Sequence, residues 1–246
     1  MMDLAMLHEV LNFFYPPHCA ACGAGLPIET RKSICGGCLA RIERLSDPLC
    51  AVCGEPMSAA GNISLCSRCH GGTRNFRMAR SAARYDPSRE FEPGTLGAII
   101  RHHKYGRDQS LARALLECVG DNLPYRSGDH DLVIPVPLHR QRLRWRGFNQ
   151  AALLGIDIAR RLDCEFDLTA MMRGRATPPQ TAHDHNARRR NVRNAFRVAH
   201  PRRVAGRRVL LIDDVMTTGA TADECAGVLR QAGARVVDVF TLARAR

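Results

Sequence analysis

Two adjacent carboxylates, Asp213 and Asp214, stand immediately before a hydroxyl-rich turn of Thr217, Thr218, Gly219, Ala220 and Thr221, within R-V-L-L-I-D-D-V-M-T-T-G-A-T at residues 208–221. Carboxylates suit sugar hydroxyls or a hydrated Mg²⁺. Threonine hydroxyls and the free backbone N–H groups of a helix start suit phosphate, and a glycine lets the backbone approach closely. The expected ligand therefore carries both a ribose and a phosphate. The elements that must position these groups are legible on either side. Residues 209–212 are a short apolar run without alternation, the signature of a strand buried on both faces of a parallel sheet. After the turn, apolar periodicity predicts a helix through about Ala232.

Other phosphate sites fit poorly. A Walker loop needs G-x-x-x-x-G-K-[ST], and the chain has no Gly-Lys pair; the G-x-G-x-x-G dinucleotide fingerprint is also absent. A receiver domain places an acid pair after its first strand, whereas only 32 residues follow Asp214. The stretch resembles the phosphoribosyl pyrophosphate (PRPP) motif of type I phosphoribosyltransferases. That resemblance implies that Asp213 and Asp214 hold the ribose 2′ and 3′ hydroxyls, and that residues 217–221 cradle the 5′-phosphate.

At 246 residues and 45% hydrophobic content, the chain can bury one sizeable core plus something smaller. The net charge of +12 is unevenly placed. Residues 1–129 carry 15 basic and 13 acidic side chains, whereas residues 130–246 carry 21 and 11. Such a surface favours polyanions, either nucleic acid or a heavily phosphorylated ligand. No segment is long enough to span a membrane. The N-terminal stretch contains Asp3 and Glu9, and it lacks both a positive leader and a small-residue cleavage site. Leu4, Leu7, Leu11 and Phe14 share one helical face, which Pro16-Pro17 ends, so residues 1–17 read as a docking helix and the expected location is the cytoplasm.

Eight of the 11 cysteines form four C-x-x-C pairs: Cys19/Cys22, Cys35/Cys38, Cys50/Cys53 and Cys66/Cys69. The last two pairs repeat the first two at an offset of 31 residues, and Gly23 maps to Gly54. C-x-x-C-G is a knuckle whose glycine permits the tight turn that aims backbone N–H groups at the thiolates. Two knuckles offer four thiolates at tetrahedral spacing, so two structural Zn²⁺ ions are expected over residues 18–72. Pairing within each repeat is the simpler arrangement, and cross-braced pairing satisfies the same spacing. A disulfide framework requires an oxidising compartment, and a thioredoxin-type pair uses a single C-x-x-C. His18 and His70 read as exposed loop residues. The module is poor in apolar residues, so metal binding should supply folding free energy on the order of 10 kcal/mol per site.

Beyond a linker at residues 73–78, strands are expected at 79–85, 132–137 and 236–242, and helices at 96–103, 111–119 and 148–162. Strands alternating with helices imply a mostly parallel sheet. Cys118, Cys164 and Cys225 read as ordinary buried thiols. After the second strand, Arg140, Arg142, Arg144 and Arg146 alternate, so an extended segment would present them along one edge, at the strand end where ligands of open α/β folds sit. Guanidinium forks suit pyrophosphate and nucleic-acid phosphate alike. Trp145, the only Trp, is expected to anchor this loop to the core, with stacking on a base as the alternative. Residues 173–196, long, polar and Pro-interrupted, are expected to form a mobile lid that turns helical near Asp184.

Three blocks, P-V-P-L-H-R-Q-R-L-R-W-R-G-F-N-Q, P-Q-T followed by R-R-R-N-V-R-N-A-F, and L-I-D-D-V-M-T-T-G-A-T, occur in this order behind the cysteine repeats. Together they resemble the ComF (competence protein F) family over essentially the whole chain. The resemblance implies an α/β fold: a mostly parallel sheet of the type I phosphoribosyltransferase kind at residues 79–246, led by a small N-terminal double zinc ribbon. It implies a role in DNA uptake and natural transformation. It also implies single-stranded DNA and PRPP or a related ribose phosphate as partners, Mg²⁺ accompanying PRPP, and DNA-uptake or recombination proteins as further partners. By position, Arg140 to Arg146 would form the pyrophosphate-side loop, Gln180 and Arg188 would belong to the lid, and Lys104 would be a further phosphate contact. His183 stands where the family pattern has an apolar residue. An active phosphoribosyltransferase with an unknown acceptor is the alternative. Met2, rather than Cys, follows Met1, so no glutaminase half is expected, and any nitrogen donor would be free ammonia or a base.

Overall fold

The computed structural model describes residues 16–30, 32–58, 64–105, 111–120, 123–175 and 190–245. The expected docking helix, the lid residues Gln180 and Arg188, and His183 lie outside the described residues.

In chain order, the ribbon region carries two short helices, α1 (Gly36–Ala40) and α2 (Ser67–His70). Strand β1 (Ala79–Tyr85) follows, then α3 (Leu96–Tyr105), α4 (Leu111–Val119), β2 (Leu132–Pro135), α5 (Arg140–Arg146), α6 (Gln150–Leu162) and β3 (Glu165–Phe166). The chain continues through β4 (Met171–Arg173), β5 (Phe196–Val198), α7 (Pro201–Val204), β6 (Arg208–Met216), α8 (Ala220–Gln231) and β7 (Val236–Ala245). Five strands form one sheet in the order β1-β7-β6-β2-β3, with every pairing parallel. Strands β4 and β5 form a separate antiparallel pair that sequence periodicity does not reveal, because each is only three residues long.

The central strand β6 is apolar on both faces because helices cover both. Leu210 and Ile212 pack with Ile99, Leu115, Leu154 and Ile158 on one side. Val209 and Leu211 pack with Cys225, Ala226 and Leu229 of α8 on the other. Cys118 and Cys225 are buried, and Cys164 is partly so.

The ribbons are built on the same sheet. Leu45 N–H donates to Ala82 O and Arg84 N–H to Glu43 O, while Ala79 N–H donates to Val52 O at 2.7 Å. These bonds occupy the free edge of β1, and Ile34, Cys38 and Ile42 join the core that contains Ala82, Ala83 and Ile99. The opposite edge, β3, is only two residues long, another way of limiting an open edge.

Candidate functional site

Strand β6 delivers the acid pair to the carboxyl edge of the sheet, where β2 ends one strand away. Asp213 accepts a hydrogen bond from Asp214 N–H at 2.9 Å, and Asp214 accepts one from Val215 N–H at 2.7 Å, so the backbone fixes both carboxylates. Lys104, the last-turn cation of α3, places Nζ 2.7 Å from Asp214 Oδ2. Burial opposes ionisation of Asp214, but the hydrogen bond and charge of Lys104 outweigh it, helped by the charge of Arg146, and hold this carboxyl below its ordinary range. Burial and the adjacent Asp214 charge push Asp213 upward. The two carboxyls are thus driven apart, Asp214 towards its charged form and Asp213 towards its neutral one, and a cation beside them would favour ionisation of both.

The turn is closed by its glycine and by Thr218. Gly219 is left-handed (φ 78°) and caps α8, while Thr218 Oγ1 accepts from Ala220 N–H at 3.2 Å. A Cβ at Gly219 would lie 3.2 Å from Met216 Cε in a conformation that side chains disfavour. Residues 213–222 line a pocket of about 220 Å³ together with Tyr85, Lys104 and Thr241. Lys104, Asp213, Asp214, Val215 and Thr221 also line a larger cleft of about 580 Å³. The acid pair therefore stands where a smaller recess opens into a wider one.

The wall of the wider cleft corrects the expectation of an extended arginine run. Arg140 to Arg146 are α-helical, because His139 Nδ1 caps the start and left-handed Gly147 (φ 86°) ends the helix. At 3.6 residues per turn, the four arginines divide into pairs. Arg142 and Arg146 line the cleft with Gln141 and Trp145, whereas Arg140 and Arg144 are exposed and are not among its lining. Arg146 is 8% exposed and donates to Gln150 Oε1 at 2.8 Å. Trp145 does not anchor the loop to the core: it is 46% exposed, its ring edge-on to Tyr105 at 6.1 Å, at the cleft mouth.

The R-G-F-N-Q block acquires a physical reason here. Gly147 ends α5, Phe148 is buried against the His103 ring at 4.8 Å, Asn149 caps α6 and donates to Val136 O at 3.1 Å, and Gln150 fixes Arg146. Sequence reasoning missed Arg173, which ends β4 and lines the same cleft, and Tyr85 at the end of β1. Both lie at strand termini, but a three-residue strand gave no signal that Arg173 would.

The cysteines gather by repeat, Cys19, Cys22, Cys35 and Cys38 in one cluster and Cys50, Cys53, Cys66 and Cys69 in the other, with the sulfurs of each within 4.8 Å of one another. The offset of 31 reappears in the bonding. Gly23 N–H donates to Cys19 O and Gly54 N–H to Cys50 O, and Cys35 and Cys66 N–H donate to the sulfurs of Cys19 and Cys50. Gly23 and Gly54 are both left-handed, at φ 74° and 69°. Burial opposes ionisation of Cys19 and Cys50, but the knuckle N–H donors outweigh it and lower both thiols to about 6. Burial and neighbouring thiols push Cys38 up to about 12. Four crowded sulfurs cannot all ionise unaided, and a tetrahedral Zn²⁺ would draw off the remaining protons. His18 and His70 are exposed and belong to neither cluster.

Comparison with known proteins agrees with this architecture. Residues 10–70 match the double zinc ribbon domain, and residues 149–246 match the phosphoribosyl transferase domain. The chain is 36% identical over 222 residues to the DNA utilization protein YhgH of Shigella flexneri, covering 86% of this chain and 90% of that one. It is 32% identical over 242 residues to competence protein F of Haemophilus influenzae, covering 96% and 100%. Adenine phosphoribosyltransferase from Thermoanaerobacter pseudethanolicus aligns at 18% identity and a TM-score of 0.36, over 57% of this chain and 83% of that one. With identity of this degree running through both the ribbon and the sheet, the chain belongs to the competence protein F family of DNA-utilization proteins.

Proposed function

We propose that this protein binds PRPP, or a related ribose phosphate, at the carboxyl edge of β6 and single-stranded DNA on the arginine-bearing surface beside it, as a cytoplasmic factor in DNA uptake. The observation that carries the reading is the placement of Asp213 and Asp214 between the recess of the threonine turn and the wider cleft. A 5-phosphate would sit on the amides and hydroxyls of residues 217–221, the ribose hydroxyls on the acid pair, and a pyrophosphate towards Arg142. Mg²⁺ fits the donor set: Asp213 and Asp214 are hard oxygen ligands, and ligand phosphates with water would complete the shell. Lys104, held on Asp214 by 2.7 Å, is placed to follow a phosphate instead.

The second reading, an active phosphoribosyltransferase, is favoured by one feature. The wide cleft continues past the acid pair to Tyr105 and Trp145, leaving an aromatic-walled space for an acceptor base. Phosphoribosyl transfer breaks the anomeric C–O bond, pyrophosphate leaving with the electron pair through an oxocarbenium-like state, while the acceptor nitrogen forms the new bond to the anomeric carbon and loses its proton to solvent. This chain's own contribution would be to position the ribose and stabilise the departing charge.

Calorimetry with PRPP and Mg²⁺ tests the first reading. Asp213→Asn with Asp214→Asn, and separately Gly219→Val, should each weaken binding at least tenfold, about 1.4 kcal/mol. Unchanged affinity in both variants would place the pocket elsewhere. Pyrophosphate release from PRPP, with and without candidate acceptor bases, separates the binder from the transferase.

A further inference from the structure

The segment that joins the second ribbon to β1 is bonded to the phosphate loop. Arg74 Nη2 donates to Thr218 O at 3.3 Å, and its guanidinium lies 5.9 Å from the centre of the Phe76 ring. Asn75 is held twice, its backbone N–H donating to Asp223 Oδ1 at 2.7 Å and its Nδ2 to Asp223 O at 3.2 Å. Phe76 is 2% exposed, and its ring tip lies 3.9 Å from where a Gly219 Cβ would be. Gly227, on the same helix as Asp223, makes room for Asn75: a Cβ there would stand 3.2 Å from Asn75 Nδ2.

Asp223 lies in the first turn of α8, where a negative charge would oppose a bound anion. Its carboxylate accepts from Asn75 N–H, and it does not line the phosphate pocket. Within the loop itself, Thr218 Oγ1 holds Ala220 N–H and Gly219 O accepts from Asp223 N–H. Arg74 thus adds a bond to the turn at Thr218 O, and Asn75 holds the first turn of the helix that follows.

The other end of this segment belongs to the second ribbon. Ala79 N–H donates to Val52 O, and a Cβ at Gly54 would stand 2.6 Å from Ala79 O. Arg244, opposite Met216 in the β6–β7 register, donates to Cys53 O at 2.7 Å and pairs with Glu55. The first ribbon meets β1 through residues 43–45, at the far end of that strand from Ala79, and its other anchors lie away from the loop. Ser33 and Ile34 N–H donate to the Glu117 carboxylate, and Arg44 donates to Cys118 O and Val119 O, all on α4.

We infer that residues 74–76 clamp the phosphate loop in its anion-receiving shape and make that shape depend on the second zinc ribbon rather than the first. Arg74 and Asn75 are thus positioning residues; the inference rests on the reading of residues 217–221 as a ribose-phosphate site. Removing the clamp should let the turn open locally while the sheet stays closed.

The test uses the full, zinc-loaded chain. In Arg74→Ala with Asn75→Pro, which removes the Arg74 donor and both the backbone and side-chain donors of residue 75, amide hydrogen exchange at residues 218–223 should accelerate at least tenfold, with β6 amides 209–212 unchanged, and affinity for PRPP–Mg²⁺ should fall at least tenfold. Arg74→Lys alone, which keeps a donor for Thr218 O, should stay within about threefold of the parent on both measures. Cys66→Ser with Cys69→Ser should reproduce the faster loop exchange, and Cys35→Ser with Cys38→Ser should leave it near the parent value. Unchanged loop exchange in the Arg74/Asn75 variant, or equal acceleration by both cysteine pairs, overturns the inference. A parent protein that binds no PRPP would refute the ribose-phosphate reading, and loop exchange would still decide the clamp.

Discussion

Because α5 is a helix, the four alternating arginines cannot act as one row, and their separation can be measured. Arg142 lines the cleft, whereas Arg140 and Arg144 project from the exposed side. Arg146 is unsuitable for this test, because it is buried on Gln150 and its removal would disturb the helix. A charge-assisted bond to phosphate contributes about 1.5–3 kcal/mol, so Arg142→Ala should weaken PRPP–Mg²⁺ binding roughly 10- to 150-fold. Arg140→Ala with Arg144→Ala removes two charges but no cleft contact, and should leave that affinity within about twofold. For single-stranded DNA the order should reverse. Each lost phosphate contact flattens the dependence of log affinity on log salt by about 0.7, so the double variant should lose about 1.4 and Arg142→Ala no more than about 0.7. Calorimetry reads the first quantity, and fluorescence anisotropy of a labelled oligonucleotide between about 50 and 200 mM salt reads the second. If the double variant weakens PRPP binding as much as Arg142→Ala does, the arginines meet the ligand as an extended run, and the division into two faces is refuted.

Two further outcomes are expected. Zinc binding on the order of 10 kcal/mol per site rivals the whole stability of a domain, and the ribbons bond to β1. Chelation should therefore lower the melting temperature of the sheet without abolishing its transition, and an unchanged sheet transition after complete metal removal would contradict the shared core. Asp238 is fully buried; burial opposes its ionisation, but the His130 and Arg77 hydrogen bonds outweigh it and hold its carboxyl below the ordinary range. A depressed carboxylate stabilises the fold above its unfolded value of about 3.9 and ceases to as pH falls through the folded one. Asp238→Asn should thus cost about 2 kcal/mol at neutral pH and flatten the loss of melting temperature between about pH 5 and pH 3; an equally steep acid transition would show that other carboxylates set it.

What the sequence showed, and what it hid, follow from the range of the interactions. The acid pair, the threonine turn and the cysteine repeats are short segments whose chemistry depends on their own spacing, and the structure gathers each as spaced. Strand β6 runs on to Met216, past the apolar run, because Asp213 pairs with Thr241 of β7, a partner that local hydropathy does not register. The arginine run misled for a related reason: alternation of charge suggests extended backbone, yet the His139 cap and the Gly147 stop define a seven-residue helix that spreads those charges around its axis. Residues 73–78 read as a linker because nothing in their composition points to Asp223, 148 positions further along the chain. Long-range polar bonds of this kind leave no periodic trace.

The same range argument explains why zinc, rather than more apolar sequence, sits at this end of the sheet. An exposed parallel edge presents unpaired N–H and C=O groups, and β1 would be such an edge without residues 43–45 and 52 against it. Those residues belong to loops with little apolar content, which could not hold an extended backbone in register by packing alone. Tetrathiolate sites remove that difficulty by fixing the knuckles on either side, so each ribbon presents a rigid backbone to β1. The consequence reaches the cleft. Strand β1 ends at Tyr85 and β7 carries Thr241, and both line the recess proposed for phosphate. The ribbon edge and the proposed ligand site thus share β1, while the bonds to the loop and to the helix after it come through residues 74 and 75, on the second ribbon's side.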